Sequence, residues 1–550
     1  MDPITLEVMK NSLIGISEEM GVALKRASYS PNIKERNDFS CAIFDADCRM
    51  ISQAEHLPVH LGSMIFSVRQ AIEDSGINNI EEGDQIVLND PYKGGTHLPD
   101  ITLISPIYYH GDIVAFSANR AHHADVGGIC PGSMSGSATE IIQEGLRIPP
   151  IKLYEKGRPN DSVFRLMLAN TRTPKERVGD IRAQVAANLI AKRRFIELIN
   201  KYGWDTVKEY IEELMNYSEK RTRLEIEGIP DGQYEFSDYM EGDGIEDRIF
   251  KIHVKITVEG TNMKFDFSGT DKQAKGPINA VLPVTISAVY YVLRCITDPT
   301  IPPNSGHYRP LEVIAPKGTL VNPNFPAPVA GGNVETSQRI VDVLLGALAK
   351  AIPERVIAAC NGSMTNIAIG GIHPETKQIF AYYETLGGGF GARYNKDGID
   401  GIHCHMTNTQ NTPIEALEGK LPIMIERYAL REDTGGPGKY RGGCGIERRI
   451  RLLSGEMKVS ILAERHVLRP YGLKGGMEGA CGESYILRKG RKIRLKSKDT
   501  KTMKEGDVWV IRSPGAGGYG NPEERPKELI REDIKSGLIH RHSLPSQRGL

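Results

Sequence analysis

Two short polar segments, joined by a predicted β-hairpin, constrain this chain more than any other feature. The first polar segment spans residues 89–100 and the second spans residues 119–125, and the stretches between them are apolar and rich in β-branched residues. The residues 110–112, His-Gly-Asp, favour a hairpin turn, because glycine adopts the backbone conformations that tight turns need. With the turn there, the numbers of residues that pair across the hairpin sum to roughly 221 to 223.

The open end of this hairpin is a candidate metal site. The pairing places Asp100 beside His122 or His123, with Cβ atoms about 5 Å apart, and His97 lies just before the first strand at the same end. Imidazole and carboxylate groups together bind divalent ions without thiolates. The alternative is that these histidines are hydrogen-bonded core or turn residues. Because His122 and His123 point to opposite faces of the strand, one can bind the metal while the other supports a ligand or a proton.

Two more polar clusters lie in the same N-terminal region. The segment 35–38, Glu-Arg-Asn-Asp, precedes a predicted strand and could add a fourth, carboxylate ligand, although alone it would be a solvated turn. His56 and His60 have the spacing of two ligands on one helix face, but Pro58 between them argues against a regular helix. For this pair we expect the lining of a substrate pocket rather than metal binding.

The composition argues against several classes of protein. In 550 residues, 69 Lys and Arg balance 69 Asp and Glu, which gives no general attraction to nucleic acid or an anionic membrane. No apolar run reaches the roughly 18 residues of a membrane span, and the first residues lack the pattern of a secretory signal. The eight cysteines are scattered without a Cys-x-x-Cys pair. We therefore expect a cytoplasmic protein with reduced thiols and a metal site built from nitrogen and oxygen ligands.

Hydrophobic periodicity predicts an α+β chain with mixed and antiparallel sheets, helical segments and a β-rich C-terminal part. Helices are expected over residues 4–26, 61–72, 174–202, 205–217, 287–296, 335–352 and 526–539. Strands are expected over residues 41–44, 50–52, 85–88, 101–109, 113–118, 234–239, 250–258 and 263–267, with more short strands after residue 356. We divide the chain into an N-terminal metal-site region (1–220), a central α+β region (221–434), a β-rich region (435–520) and a helical tail (521–550).

Several long segments resemble a known family, the B-type subunits of ATP-dependent hydantoinases. That family also covers the C-terminal half of 5-oxoprolinase and the alpha subunit of acetone carboxylase. The resemblance spans nearly the whole chain and is carried by residues 35–40, 53–62, 89–125, 132–150, 331–339 and 513–520.

The resemblance implies a division of labour between two subunits. A larger, actin-like hydantoinase A-type ATPase subunit uses ATP to phosphorylate the carbonyl oxygen of the substrate. The B-type partner then holds a divalent metal (Zn, Mn or Fe) and performs the next step. The motif match implies His97, Asp100 and His122 as metal ligands. It leaves open whether Glu35 or Asp38 provides the fourth ligand.

The expected substrate is a hydantoin, 5-oxoproline or another lactam, which the enzyme would hydrolyse as part of a hetero-oligomer. From proximity alone, His123 or Asp125 is expected to handle protons. Arg120 or Arg147 is expected to bind a carboxylate or phosphate of the substrate, since a guanidinium pairs with either through two hydrogen bonds.

Three other functions compete with this one. The chain could be the alpha subunit of an ATP-dependent ketone carboxylase of the acetone type. Two histidines and a carboxylate also occur in non-haem iron oxygenases. A non-enzymatic chain would act as a scaffold that stabilises the ATPase partner.

Overall fold

A computed structural model describes residues 2–54 and 57–540 of the protein. Its helices are α1 Pro3–Ala27, α2 Pro31–Lys34, α3 Pro58–Ser75, α4 Asp161–Ala169, α5 Pro174–Tyr202, α6 Trp204–Glu227, α7 Leu282–Ile296, α8 Ser337–Leu348, α9 Ile414–Glu418 and α10 Lys527–Lys535. The first eleven strands are β1 Phe39–Asp45, β2 Met50–Gln53, β3 Gln85–Leu88, β4 Asp100–Tyr109, β5 Asp112–His122, β6 Ile151–Glu155, β7 Arg158–Pro159, β8 Gly232–Glu241, β9 Ile249–Glu259, β10 Asn262–Asp266 and β11 Leu311–Ile314. The other nine are β12 Asn366–Ile372, β13 Ile379–Thr385, β14 Ile423–Leu430, β15 Ile446–Leu452, β16 Glu456–Leu462, β17 Glu483–Arg488, β18 Arg491–Leu495, β19 Lys498–Lys504 and β20 Val508–Arg512. The predicted α+β class is confirmed.

The predicted hairpin lies in the middle of a seven-stranded antiparallel sheet. The strand order is β2-β1-β5-β4-β3-β6-β7, and β4 and β5 pair so that Asp100 lies opposite His122. The register shifts once, between Ile107 and Tyr108, because of a bulge near the turn. The numbers of Asp100 and His122 sum to 222, which lies within the range of 221 to 223 predicted for paired residues. The predicted pairing is therefore confirmed at the open end of the hairpin.

Both faces of this sheet are buried. Helices α1 and α5 cover one face, where Phe39 and Ile43 of β1 contribute to an apolar cluster. Helix α3 covers the other face, where Phe44 and Phe116 join the largest apolar cluster of the chain. Alternation along β5 therefore turns neighbouring side chains toward two different packed layers. As expected from its apolar spacing, α1 buries one stripe of side chains, which includes Met9, Leu13, Ile16, Met20 and Leu24.

The other strands of the described residues form three smaller sheets. The predicted meander is confirmed as β8, β9 and β10, and β11 adds to it in parallel. The C-terminal half contains a sheet of order β13-β12-β16-β19 and one of order β14-β15-β20-β17-β18. The largest apolar cluster includes side chains from residue 42 to residue 462. The division into four regions stays a prediction.

Some element boundaries differ from the predicted ones. Helix α6 continues to Glu227, ten residues past its predicted end. A π-helical turn, Gly332–Thr336, precedes α8. Pro58 begins α3 instead of preventing a helix, because a proline in the first turn has no intrahelical N–H partner to lose. The expected pair of His56 and His60 cannot be compared as a pair, since His56 lies outside the described residues.

No helix in the described parts of the chain is both long and apolar enough to cross a membrane.

Glu144 ties two loops together and makes stability depend on pH. Its buried carboxyl group accepts hydrogen bonds from the backbone N–H groups of Val329 and Ala330. Burial outweighs these bonds and raises the pKa of Glu144 to about 8. The folded chain thus keeps a proton that the unfolded chain has lost between the two pKa values, so this group contributes less stability as the pH rises through 8.

We expect Glu144→Gln to remove this dependence, because the amide oxygen can still accept both backbone hydrogen bonds. Relative to the wild type, the variant should gain stability between pH 5.5 and pH 8.5 by an amount on the order of a few kcal/mol. Urea unfolding at both pH values measures the difference. Glu140→Gln, at an exposed position of the same loop, is the control and should show no such gain. Equal differences at both pH values would contradict the role of Glu144.

Candidate metal centre

Three side chains converge at the open end of the β4–β5 hairpin. Nε2 of His97 lies 3.1 Å from Oδ1 of Asp100, and Nδ1 of His122 lies 3.2 Å from the same oxygen. The two imidazole nitrogens are 3.2 Å apart. His97 reaches the site from the loop before β4, while Asp100 and His122 are cross-strand neighbours. The three ligand atoms form a compact triangle in a buried place.

The other oxygen of Asp100 is held by the surrounding residues. Oδ2 accepts a hydrogen bond from the Thr96 hydroxyl at 2.6 Å and lies 3.4 Å from Nδ2 of Asn333. Nε2 of His60, in the first turn of α3, is 3.3 Å away. These contacts fix the plane of the carboxylate and leave Oδ1 directed at the two imidazoles.

The triangle fits a divalent metal ion. Ligand atoms about 2.1 Å from an ion are separated by about 3.0 to 3.4 Å in octahedral or tetrahedral sites, and the three separations here are 3.1 to 3.2 Å. Nδ1 of His97 and Nε2 of His122 are buried and have no hydrogen-bond partner among the described residues. Each imidazole therefore turns one nitrogen to the shared centre and leaves its other nitrogen unpaired, so the nitrogens that could bind an ion at the centre are the two that lie 3.2 Å apart.

The protonation states also suit metal binding. Burial alone would raise the pKa of Asp100, but the His97 and His60 imidazoles and the hydrogen bond with His122 hold it well below its ordinary value. Burial lowers the pKa of His122 despite the opposing carboxylates of Asp38 and Asp100. An ionised carboxylate and a neutral imidazole are the forms that coordinate a metal.

The two candidates for a fourth ligand lie in different surroundings. Asp38 is buried, its backbone carbonyl accepts the N–H of His122 at 3.0 Å, and its charge acts on the pKa of that imidazole. Glu35 is half-buried and lines a surface groove with Pro31 and Glu176. Of the two, the surroundings favour Asp38.

Distant parts of the chain close the centre. The ring of Tyr383, on β13, stacks on His122 with centroids 4.4 Å apart. The buried Arg36 guanidinium lies 5.2 Å above the same tyrosine ring and donates to Asn32, Thr385 and the carbonyl of Tyr383. Sequence reasoning missed Tyr383, Asn333 and Thr96, and it gave His60 a pocket-lining role. Thr96, His60 and Asn333 lie in segments that carry the family resemblance, which is the signal that could have found them, whereas Tyr383 lies outside these segments.

The predicted proton-handling residues lie on the other side of the sheet or in a loop. Nε2 of His123 is 2.9 Å from Oε1 of Gln184 on α5, and burial with the nearby Arg177 lowers its pKa to about 4. Asp125 accepts four hydrogen bonds, from the backbone of Gly127, Gly132 and Arg172 and from the Arg172 side chain. His123 and Asp125 border a common cavity of about 20 Å³. Their role in proton transfer stays a prediction.

The two predicted substrate-binding arginines differ in exposure. Arg120 is fully buried and donates to the hydroxyls of Thr102, Ser63 and Ser67. Burial lowers its pKa to about 10. The Arg147 side chain is 33% exposed, with Nε 3.6 Å from Asp90 and its guanidinium over the Phe325 ring. Arg147 is therefore the one with donors available to a ligand.

Comparisons with known proteins place the chain in a family. The model of the hydantoinase B/oxoprolinase family matches residues 2–522. The chain belongs to this family. The resemblance inferred from the sequence is thereby confirmed.

Relatives in this family include an uncharacterized protein of Methanocaldococcus jannaschii, 48% identical over 98% of this chain and 94% of that protein. The B-type subunit of a putative D-/L-hydantoinase from a Pseudomonas species is 37% identical over 98% of this chain and 93% of its own length. The 5-oxoprolinase 1 of Arabidopsis thaliana is 38% identical over 94% of this chain, which spans only 42% of that longer protein.

Two solved structures share the fold. The ATP-dependent caprolactamase from Pseudomonas jessenii superposes with a TM-score of 0.92 and 30% identity, over 100% of this chain and 98% of that one. Acetone carboxylase, in a nucleotide-free structure, gives a TM-score of 0.90 with 18% identity over 98% of this chain and 78% of that one. The second likeness concerns the fold alone.

We expect Thr96→Val to lower the free energy of unfolding of the metal-depleted protein by about 1.5–3 kcal/mol, because a buried charged oxygen loses its hydroxyl donor. Thr96→Ser keeps the hydroxyl and is the matched control. Urea unfolding of both variants measures the difference. If Thr96→Val proved as stable as Thr96→Ser, the hydroxyl would not hold Asp100 in place.

Proposed function

We propose that this chain is the metal-bearing B-type subunit of an ATP-dependent amidohydrolase that opens a cyclic amide together with an A-type ATPase subunit. The triangle formed by His97, Asp100 and His122, in a chain of the hydantoinase B/oxoprolinase family, carries the proposal. The names of the relatives support hydantoins, 5-oxoproline or other lactams as the substrate class.

Two subunits would share the chemistry because an amide resists direct attack. Its carbonyl carbon is a poor electrophile, and its nitrogen is a poor leaving group. Transfer of a phosphoryl group from ATP to the carbonyl oxygen, on the ATPase partner, makes the carbon attackable. Water then adds to this carbon, the C–N bond breaks as the ring nitrogen takes up a proton, and a second water hydrolyses the resulting acyl phosphate to a carboxylate and inorganic phosphate. The hydrolytic step then belongs to the metal-bearing chain.

In this proposal His97, Asp100 and His122 hold a divalent ion, and Asp38 completes the set in preference to Glu35. When bound, the ion supplies Lewis-acid activation and lets water react as a nucleophile near neutral pH. Nitrogen and oxygen ligands suit zinc, manganese or iron. The chain's own contribution is to keep Asp100 ionised and His122 neutral, and to fix both through β4 and β5.

We assign substrate binding to Arg147 before Arg120, because Arg147 has exposed donors and Arg120 donates to three hydroxyls. For proton transfer we prefer His123 to Asp125. Its lowered pKa keeps the imidazole in the basic form at neutral pH, whereas Asp125 already accepts four hydrogen bonds.

The second candidate function is that of a ketone carboxylase alpha subunit, which the fold shared with acetone carboxylase favours. We prefer the hydrolase because the caprolactamase is 30% identical to this chain, compared with 18% for acetone carboxylase. The third candidate, a scaffold for the ATPase, requires no metal chemistry at all.

We expect Asp100→Asn to lose the divalent ion, because a neutral amide replaces the only carboxylate of the triangle. Elemental analysis of the purified full chain measures the metal content. Asp112→Asn, at an exposed position at the other end of the same hairpin, is the matched control. This variant should contain as much metal as the wild-type protein. Retention of the ion by Asp100→Asn would remove Asp100 from the ligand set.

The activity requires reconstitution with the partner. The chain should be coexpressed with an A-type ATPase subunit, and the complex tested with hydantoin, 5-oxoproline, caprolactam, and acetone plus bicarbonate. We expect a cyclic amide to stimulate ADP release and to yield a ring-opened product. His97→Ala and Asp100→Asn should lower product formation by at least about 100-fold, while Asp112→Asn should leave it unchanged.

Each competing function has its own result in this experiment. Product formation from acetone that depends on bicarbonate would identify a carboxylase. Full ATP-coupled turnover by the His97→Ala complex would identify a scaffold. Oxygen consumption in the presence of ferrous iron would identify an oxygenase.

A further inference from the structure

A second group of metal-ligating side chains lies apart from the first centre. The thiols of Cys360 and Cys404 and the imidazole of His405 offer ligand atoms that all lie within 4.8 Å of one another. All three residues are buried. They share no residue with the His97, Asp100 and His122 triangle, and the function proposed above does not use them.

The surrounding residues position this cluster through the backbone. The N–H of Cys360 is 3.4 Å from Oδ1 of Asp342 on α8, and the carbonyl of Cys404 accepts from Nε2 of Gln338, also on α8. The Cys404 thiol donates to the side chain of Asn361 at 2.9 Å. His405 has a left-handed backbone with φ of 53°, a conformation that costs a non-glycine residue about 1 kcal/mol or more.

A glycine-rich segment packs closely around the two cysteines. The N–H of Gly391 lies 3.3 Å from Sγ of Cys360. A Cβ atom at Gly388 would come within 2.2 Å of the Asn361 side chain, and one at Gly391 would overlap the backbone of Ala358. The glycines of 387–391 thus allow an approach that other residues would prevent, and the cluster is enclosed on this side.

Each nitrogen of the His405 imidazole has a side-chain oxygen nearby, but Nε2 makes no hydrogen bond to any described residue. Oδ1 of Asp342 is 3.5 Å from Nε2, which has no hydrogen-bond partner among the described residues. The Tyr291 hydroxyl is 3.5 Å from Nδ1. An oxygen of either residue can provide a fourth donor or orient the imidazole.

The charges around the cluster are compatible with a divalent ion. Two thiolates neutralise a 2+ ion, and the negative charge of Asp342 is already paired with Arg465 at 2.9 Å. A buried ion with balanced ligands avoids the penalty of an uncompensated charge. Two thiolates, an imidazole and an oxygen are a donor set that zinc binds in closed, four-coordinate structural sites.

We propose that Cys360, Cys404 and His405 bind a structural zinc ion, with an oxygen of Asp342 or Tyr291 as the fourth donor. This zinc site would fix the segments around residues 360 and 404 to α8. Asn333, which contacts Asp100, lies nine residues before Asp342 in the continuous π- and α-helical segment, or about 13 Å along a helix axis. The ion would thereby hold the helix that supports the first centre.

The same residues also suggest a reactive thiol, which the surroundings disfavour. Cys360 and Cys404 are both buried, whereas reactive cysteines lie in partly exposed, electropositive surroundings. A bound cation, in contrast, deprotonates the thiol that coordinates it.

The metal content of the full chain tests the proposal without any activity assay. Elemental analysis of wild-type protein, purified without chelators, should find zinc in addition to the ion of the first centre. His97→Ala should keep one equivalent of zinc, and the double variant Cys360→Ser/Cys404→Ser should lose it. Cys444→Ser, at another buried free cysteine, is the control and should keep it.

Cobalt provides a test on the wild-type protein that does not depend on how the cysteine variants fold. Wild-type protein refilled with Co²⁺ should show thiolate-to-cobalt charge-transfer absorption and the intense visible bands of a tetrahedral ion, and His97→Ala should retain both. Absence of these bands, together with no zinc beyond the first centre, would overturn the proposal. So would a Cys360–Cys404 disulfide in the mass spectrum of native protein, or rapid alkylation of Cys360 by iodoacetamide.

Discussion

The first centre depends on the contact between the buried Asp100 carboxylate and two imidazoles. Both imidazoles turn a nitrogen toward the same carboxylate oxygen. A carboxylate in such a place is costly unless donors or positive charge surround it. Thr96, His60 and Asn333 contact Oδ2, and His97 and His122 contact Oδ1. The whole arrangement is therefore organised around one negative group, and the neighbouring elements must meet there.

The sheet fixes the relative positions of Asp100 and His122. Because β4 and β5 are central strands covered by helices on both faces, the register that sets Asp100 opposite His122 cannot slip without exposing apolar side chains. The same alternation separates His122 from His123, which faces α5 and Gln184. Two adjacent histidines thus have different surroundings, one in the candidate metal centre and the other beside a small cavity that Asp125 and Arg177 also line.

Local patterns predicted the parts of the site that are close in sequence. The turn at Gly111 and the alternating strands were enough to place Asp100 beside His122 or His123, because hairpin register depends on turn position and side-chain alternation. The exact register, with Asp100 opposite His122, came from the structure. Helices such as α1 and α5 were also predicted nearly to their ends from apolar spacing. The family match, from long motif segments, extended the prediction to the ligand set as a hypothesis.

The rest could not be predicted because it depends on long-range packing. Nothing near Tyr383 or Asn333 indicates that these side chains contact residues more than 200 positions earlier. The Cys360 and Cys404 pair was missed for the same reason, since 43 residues lie between them and no short motif marks them. Pro58 misled the local interpretation because proline disfavours helix interiors but suits helix starts.

The stacking of Tyr383 on His122 has a consequence for biosynthesis. At about 5–20 residues per second, a ribosome adds the tyrosine roughly 13 to 50 seconds after the histidine. During that interval the hairpin can form, but its mouth lacks the ring that covers it. An ion of the kind proposed above would therefore meet an uncovered imidazole pair on the nascent chain, and a covered one only after β13 has been made and docked.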